Sequence, residues 1–166
     1  MTLAHNLMIR YLNSIYLQAT GITQSDDIAA FLFYCRAFCQ LLHEHHRAEE
    51  EGFFPMIEEY TGKKGIMDRE VEQHKAFDSS LHLFEQYVSG TQPEDYSGSK
   101  LRTLIDEFAP ALLKHLYAEV SSLISVGEEF GGDQLRQTFD GWEKELVKES
   151  QAKADPVPLP HLFFPA

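Results

Sequence analysis

Eight histidines and twenty-six acidic residues stand against fourteen lysines and arginines in this chain of 166 residues, and their spacing is regular where it matters. Three imidazole and carboxylate pairs fall four residues apart: His45 with Glu49, Glu70 with His74, and His115 with Glu119. Four residues is just over one α-helical turn, so both members of each pair leave the same helix face. Nitrogen and oxygen donors presented together in this way suit a divalent or trivalent cation. His5 adds a lone imidazole close to the N-terminus.

The pairs need helices to carry them, and the apolar periodicity supplies these. Ile9, Leu12, Tyr16 and Ala19 recur at helical intervals and predict a first helix from Leu3 to about Ala19, stopped by Gly21. A second begins at Ser25 or Asp26 and reaches about Tyr60, with a kink or break expected between Gly52 and Pro55 because proline removes a backbone donor. After a turn at Thr61 to Gly65, a third helix spans Ile66 to about Val88. The glycine- and proline-containing stretch Ser89 to Ser99 reads as a loop. A fourth helix runs from Lys100 to about Val126, with a kink expected at Pro110. An amphipathic helix from Asp133 to about Glu149 follows Gly131-Gly132, and the tail beyond holds four of the seven prolines, which excludes helix and predicts an extended arm. The fold class is therefore all-α: an up-down-up-down four-helix bundle over residues 1–130, an accessory C-terminal helix over 131–150, and an extended Pro-rich tail over 151–166.

On helical wheels at roughly 100° per residue, the candidate ligands point inward. His5 aligns with Ile9, Leu12 and Tyr16, while His45 shares the arc of Phe31, Tyr34, Phe38 and Leu41, with Glu49 near its middle. Glu70 and His74 lie among Met67, Phe77 and Leu81; His115 and Glu119 lie among Phe108, Leu112 and Leu123. Burying three carboxylates without countercharge costs several kcal/mol each, and no lysine or arginine shares these faces. A cation is the expected countercharge. Seven groups, His5, His45, Glu49, Glu70, His74, His115 and Glu119, exceed a four-coordinate zinc site but fit two octahedral ions if two carboxylates bridge them. A dinuclear non-haem iron site is the favoured expectation, with manganese or a mixed pair as alternatives. His46 and Glu50 repeat the spacing one residue later, with Glu50 turned toward solvent; they are the alternative ligand pair, and His46 otherwise stands beside the site.

Ferritin-like di-iron bundles use Glu-x-x-His, three apart, which these pairs do not match. HN-x-x-IR-x-LN at His5 to Asn13, HHRAEEEGFFP at His45 to Pro55, EVEQH at Glu70 to His74 and KHLYAEV at Lys114 to Val120 together resemble the hemerythrin-like, or HHE cation-binding, family over His5 to about Ile124. The resemblance implies His5 as the single ligand of the first helix, His45 with Glu49 and His115 with Glu119 as paired ligands, and two iron ions bridged as Fe-carboxylate-Fe or Fe-O-Fe. The family's oxygen carriers look like His-x-x-x-His on the third helix, so Glu70 stands where a histidine would be if His74 is the second. In another register His74 is the first and Asp78 replaces the second; the wheel favours Glu70. The fourth-helix pair is one residue shorter than the carriers' histidine and aspartate, and looks more like that of iron-sensing relatives. Extra carboxylate stabilises oxidised metals, so the expected function is binding of dioxygen and its activation in an oxidase or oxygenase reaction on a small molecule. The alternative is a non-catalytic oxygen or iron sensor, store or carrier.

A net charge of −12 disfavours nucleic acid and anionic membrane surfaces as partners. No apolar run of spanning length and no signal-peptide pattern occurs, so a cytoplasmic location is expected. Cys35 and Cys39 read as reduced core residues, His43 and Glu51 as solvent-facing, and His82 and the tail's His161 as non-ligands. The acidic run near Glu49 lacks the spacing of a calcium-binding loop.

Overall fold

The computed structural model describes residues 1–153; of the extended arm expected over 151–166, residues 151–153 instead continue the last helix, and the rest, with His161, lies outside the described residues. Among the described residues six α-helices follow one another: α1 Thr2–Gln18, α2 Ser25–Ala48, α3 Phe54–Thr61, α4 Asp68–Gly90, α5 Gly98–Phe130 and α6 Gly132–Lys153. No strand occurs among the described residues. The architecture is the all-α bundle expected: α1, α2, α4 and α5 form its four rods, with α2 packed on α1 and α4, and α5 packed on α1 and α4. No helix of the described residues is long and apolar enough to cross a membrane.

The second rod is interrupted, by a different device and at an earlier point than the proline suggests. Glu49–Phe53 forms a π-helical turn between α2 and α3. Pro55 then falls in the first turn of α3, where its missing N–H removes nothing the helix would use. A π turn widens the helix locally and changes the direction of the side chains it carries, a device common at functional sites. Pro110, by contrast, lies inside an α5 that continues unbroken through it.

Two apolar clusters occupy the bundle. The larger contains Phe38, Leu42, Phe77, Leu81, Phe108 and Leu112; the smaller contains Phe53, Phe54, Ile57, Met67, Val126 and Leu135. Along the rods that contain α2, α4 and α5 the histidine and carboxylate positions fall between residues of the one cluster and residues of the other, so the polar layer lies between two apolar ones.

Helix α6 packs on α5, α3 and the π turn. Trp142 stacks on Phe53 at 5.2 Å between ring centroids. Gly52 permits this approach, since a Cβ there would come within 2.6 Å of the Trp142 indole nitrogen. The chain reverses into α6 at Gly131, whose φ of 110° is open to glycine and strained for other residues.

Candidate metal centre

Seven buried or nearly buried side chains converge between the four rods in two groups. His46, Glu49, His74 and His115 offer ligand atoms all within 4.8 Å of one another, and so do His5, His45, Glu49 and Glu119. Glu49 belongs to both, which places one carboxylate between two candidate cation positions. Its place in the chain explains this. At 100° per residue Glu49 lies about 40° from His45 and about 60° from His46, on the arc between them. His45 is therefore turned toward His5 of α1, with ring centroids 5.2 Å apart, and His46 toward His74 of α4, stacked at 4.0 Å.

Orienting contacts fix several rings. The His5 Nδ1 lies 2.8 Å from the Leu116 carbonyl, which accepts a hydrogen bond from it and leaves Nε2 facing inward. Glu50, itself exposed, places Oε1 2.5 Å from the His74 Nδ1. That leaves the His74 Nε2 directed at the His115 Nε2, 3.0 Å away. A carboxylate or carbonyl behind an imidazole is the arrangement that sets the tautomer of metal-ligating histidines.

The donor set has no adequate partners among the protein's own atoms. Nε2 of His5, His45 and His46, Nδ1 of His115 and both carboxylate oxygens of Glu49 and Glu119 are buried without a hydrogen bond. The His5–Glu119 and His45–Glu49 contacts, at 3.0 and 2.8 Å, are close but lack hydrogen-bond alignment. Leaving so many polar atoms unsatisfied in a low-dielectric interior is costly, and cations at the two convergence points would satisfy them together. The nitrogen and oxygen donors fit first-row metals in two adjacent positions.

The two groups differ electrostatically. Burial, reinforced by the neighbouring His74, lowers His46 to about 2 and His115 to about 3, so both rings are neutral at physiological pH. Burial also opposes a charge on His5, but the adjacent Glu119 and Glu49 carboxylates outweigh it and raise His5 to about 9. Burial works against the charge of Glu49 too, yet His45 and His5 hold its carboxyl well below the usual range. At Glu119 burial prevails over His5 and the carboxyl is raised.

The structure thus brings together His5, His45, Glu49, His74, His115 and Glu119 from the sequence-derived set, and adds His46 as a full member. It does not bring in Glu70. That carboxylate is buried but belongs to neither group, and accepts a hydrogen bond from the Ser122 hydroxyl at 2.6 Å. Asp78 is exposed, on the wall of a cavity of about 340 Å³ that also reaches His46, His74, Glu50 and Lys75. Glu50 acts through His74 and not as a partner of His46. The missed signal was the HHRAE string itself: two consecutive histidines straddle the direction of one glutamate. His43 pairs with Glu85 at the surface, His82 is exposed, and Cys35 and Cys39 are free, buried and outside both groups.

Residues 1–125 match the family model described as the hemerythrin HHE cation binding domain. The chain is 36% identical over 142 residues to a dimeric xanthone biosynthesis cluster protein of Cryptosporiopsis sp. (strain 8999), a stretch covering 86% of this chain and 54% of that relative. The chain thus spans about half the length of the curated relative it matches. No solved structure matches it.

Proposed function

Because the chain belongs to the hemerythrin HHE cation-binding family, and so to a family of metal-binding bundles, we propose that it holds two iron ions and uses dioxygen to oxidise a small molecule. The observation that carries the reading is the pair of donor groups sharing Glu49, with their buried atoms unsatisfied by the protein. His46, His74 and His115 with Glu49 would hold one ion, and His5, His45 and Glu119 with Glu49 the other. Bound iron supplies electrons to dioxygen and Lewis acidity. The residues' own part is to fix the positions: Leu116 and Glu50 orient His5 and His74, and the apolar clusters on either side limit water. The relative's name, with its biosynthesis cluster, supports catalysis on a small molecule.

One observation favours a second reading, reversible oxygen binding without a substrate. With His46 inside the centre and Glu70 outside, the donors are five histidines and two carboxylates, so the extra negative charge expected from Glu70 is absent. The bias toward oxidised metal is correspondingly smaller.

Metal analysis of protein purified without added metal, followed by anaerobic reduction and exposure to oxygen, tests both readings. About two irons per chain and oxygen uptake with irreversible oxidation are expected. An absorption band that forms with oxygen and fades on degassing would transfer the assignment to the second reading, and no transition metal after reconstitution would end both.

A further inference from the structure

A cavity of about 740 Å³ lies at the end of the bundle where α1 begins and α5 meets α6. Its inner wall is one helical turn away from the donors. Met1 precedes His5 by four residues, Phe53 follows Glu49 by four and Leu123 follows Glu119 by four, and all three line the cavity. Two of these steps start from His5 and Glu119, which belong to the group of His5, His45, Glu49 and Glu119 alone, so the cavity lies about one helical turn beyond that group. Its outer wall comes from the end of α5 and from α6, where Leu135 and Phe139 supply apolar surface and Arg136 a cation. Those outer residues fall beyond residue 125, where the family match ends. The accessory helix thus adds a second wall at one end of the bundle and turns it into a cleft open to solvent on one side.

The size lies within the usual range for small-molecule pockets, about 300–1,000 Å³, and so does the chemistry: apolar walls with a few polar groups. Phe139, braced edge to face on the buried Phe53 at 5.0 Å, joins Leu123 and the exposed Ile124 in offering apolar surface to a flat guest. Thr2, Glu128 and Arg136 are the polar residues of the lining, all three exposed. We infer that this cavity binds an aromatic small molecule bearing an acidic group, with the rings against Leu123, Ile124 and Phe139 and the acidic group toward Arg136. This inference rests on the proposed function in naming such a molecule as the substrate, but the binding itself requires no redox chemistry.

The test uses the full chain loaded with Zn(II) or Mn(II) and 6-fluoro-2-naphthoate as the probe, followed by ¹⁹F NMR. Binding to both forms is expected, with paramagnetic broadening only in the Mn(II) form. Leu123→Trp should abolish probe binding while metal content is retained. Arg136→Glu, an exposed position that cannot perturb the core, should weaken it by about tenfold, the scale of one charge-assisted hydrogen bond. Absence of binding, binding without broadening by Mn(II), or affinity unchanged in Arg136→Glu would overturn the inference. Binding that appears only after residues 154–166 are removed would also overturn it, by making that segment the occupant. Oxygen uptake on an iron-loaded sample of the same preparation keeps the outcomes apart: probe binding without uptake sinks the oxygen reading and leaves the cavity assignment standing.

Discussion

The two donor groups share Glu49 yet differ in composition, charge and surroundings. One has three histidines from α2, α4 and α5, of which His46 and His115 are held neutral, and it backs onto a polar cavity walled by Glu50, Lys75 and Asp78. The other has two histidines and two carboxylates, a His5 that favours its charged form, and an apolar cavity one turn away. The difference shows how a single bundle layer can offer two cation positions of unequal character. The histidine-rich position is ready for metal without losing protons from His46 or His115. The carboxylate-rich one would place more negative charge on a bound cation, and the apolar cavity lies about one turn beyond it.

The sharpest way to break the comparison is to remove what the two groups share. Glu49→Ala should lose metal from both positions, whereas Glu119→Ala should leave the His46, His74 and His115 position filled; metal analysis decides, and loss of only one metal in Glu49→Ala would mean that Glu49 is not shared. His46→Ala should empty the first position, while Glu70→Ala should retain metal and show only a stability loss of about 1–3 kcal/mol from the stranded Ser122 hydroxyl and the cavity. Metal loss in Glu70→Ala would restore it as a ligand.

Smaller effects test the orienting contacts and the charge. Glu50→Gln should weaken metal binding by about 10–100-fold at the first position alone, the usual range for a residue orienting a ligating histidine, as read by competition with a chelator. Chelation of the intact protein should lower the thermal midpoint by about 5–10 °C, since a ligand at a hundred times its Kd adds about 2.7 kcal/mol. The pH dependence should also separate the two positions. In the metal-free protein His5 holds a proton below about 9, so binding at the second position must release it, and affinity there should fall as pH drops below that value. His46 and His115, lowered to about 2 and 3, add no such dependence at the first position above those values. Isothermal titration in buffers of different ionisation enthalpy measures the protons released. Equal release at the two positions would contradict the assigned difference.

Four inward faces, each with a donor and none with a lysine or arginine, were legible in the sequence, because a helix repeats its direction every three to four residues and a buried carboxylate demands a partner. The bundle, its helix order and six of the seven converging residues followed from that alone. The wheel placed Glu70 with the donors and His46 among the alternatives, and the structure groups the two the other way. The wheel measures each helix against its own apolar arc, and Glu70 lies well inside the arc of α4. Being buried is not the same as pointing at the other donors: Glu70 sits one turn away from His74 and meets Ser122 of α5 instead.

The chain's residue types and periods determined an all-α bundle, a polar layer within it, and the chemistry of that layer. Only the tertiary structure decided which donors converge with which. A helix in a four-rod bundle has two neighbours, so its inward arc is wide enough for consecutive residues to serve different partners: His45 meets α1 and His46 meets α4, with Glu49 between them. The packing of α6, made close by Gly52 beneath Trp142, likewise gave one wall to a cavity that no single helix encodes. Periodicity is a property of one helix, whereas a shared ligand or a cleft is set by the angles at which several helices meet.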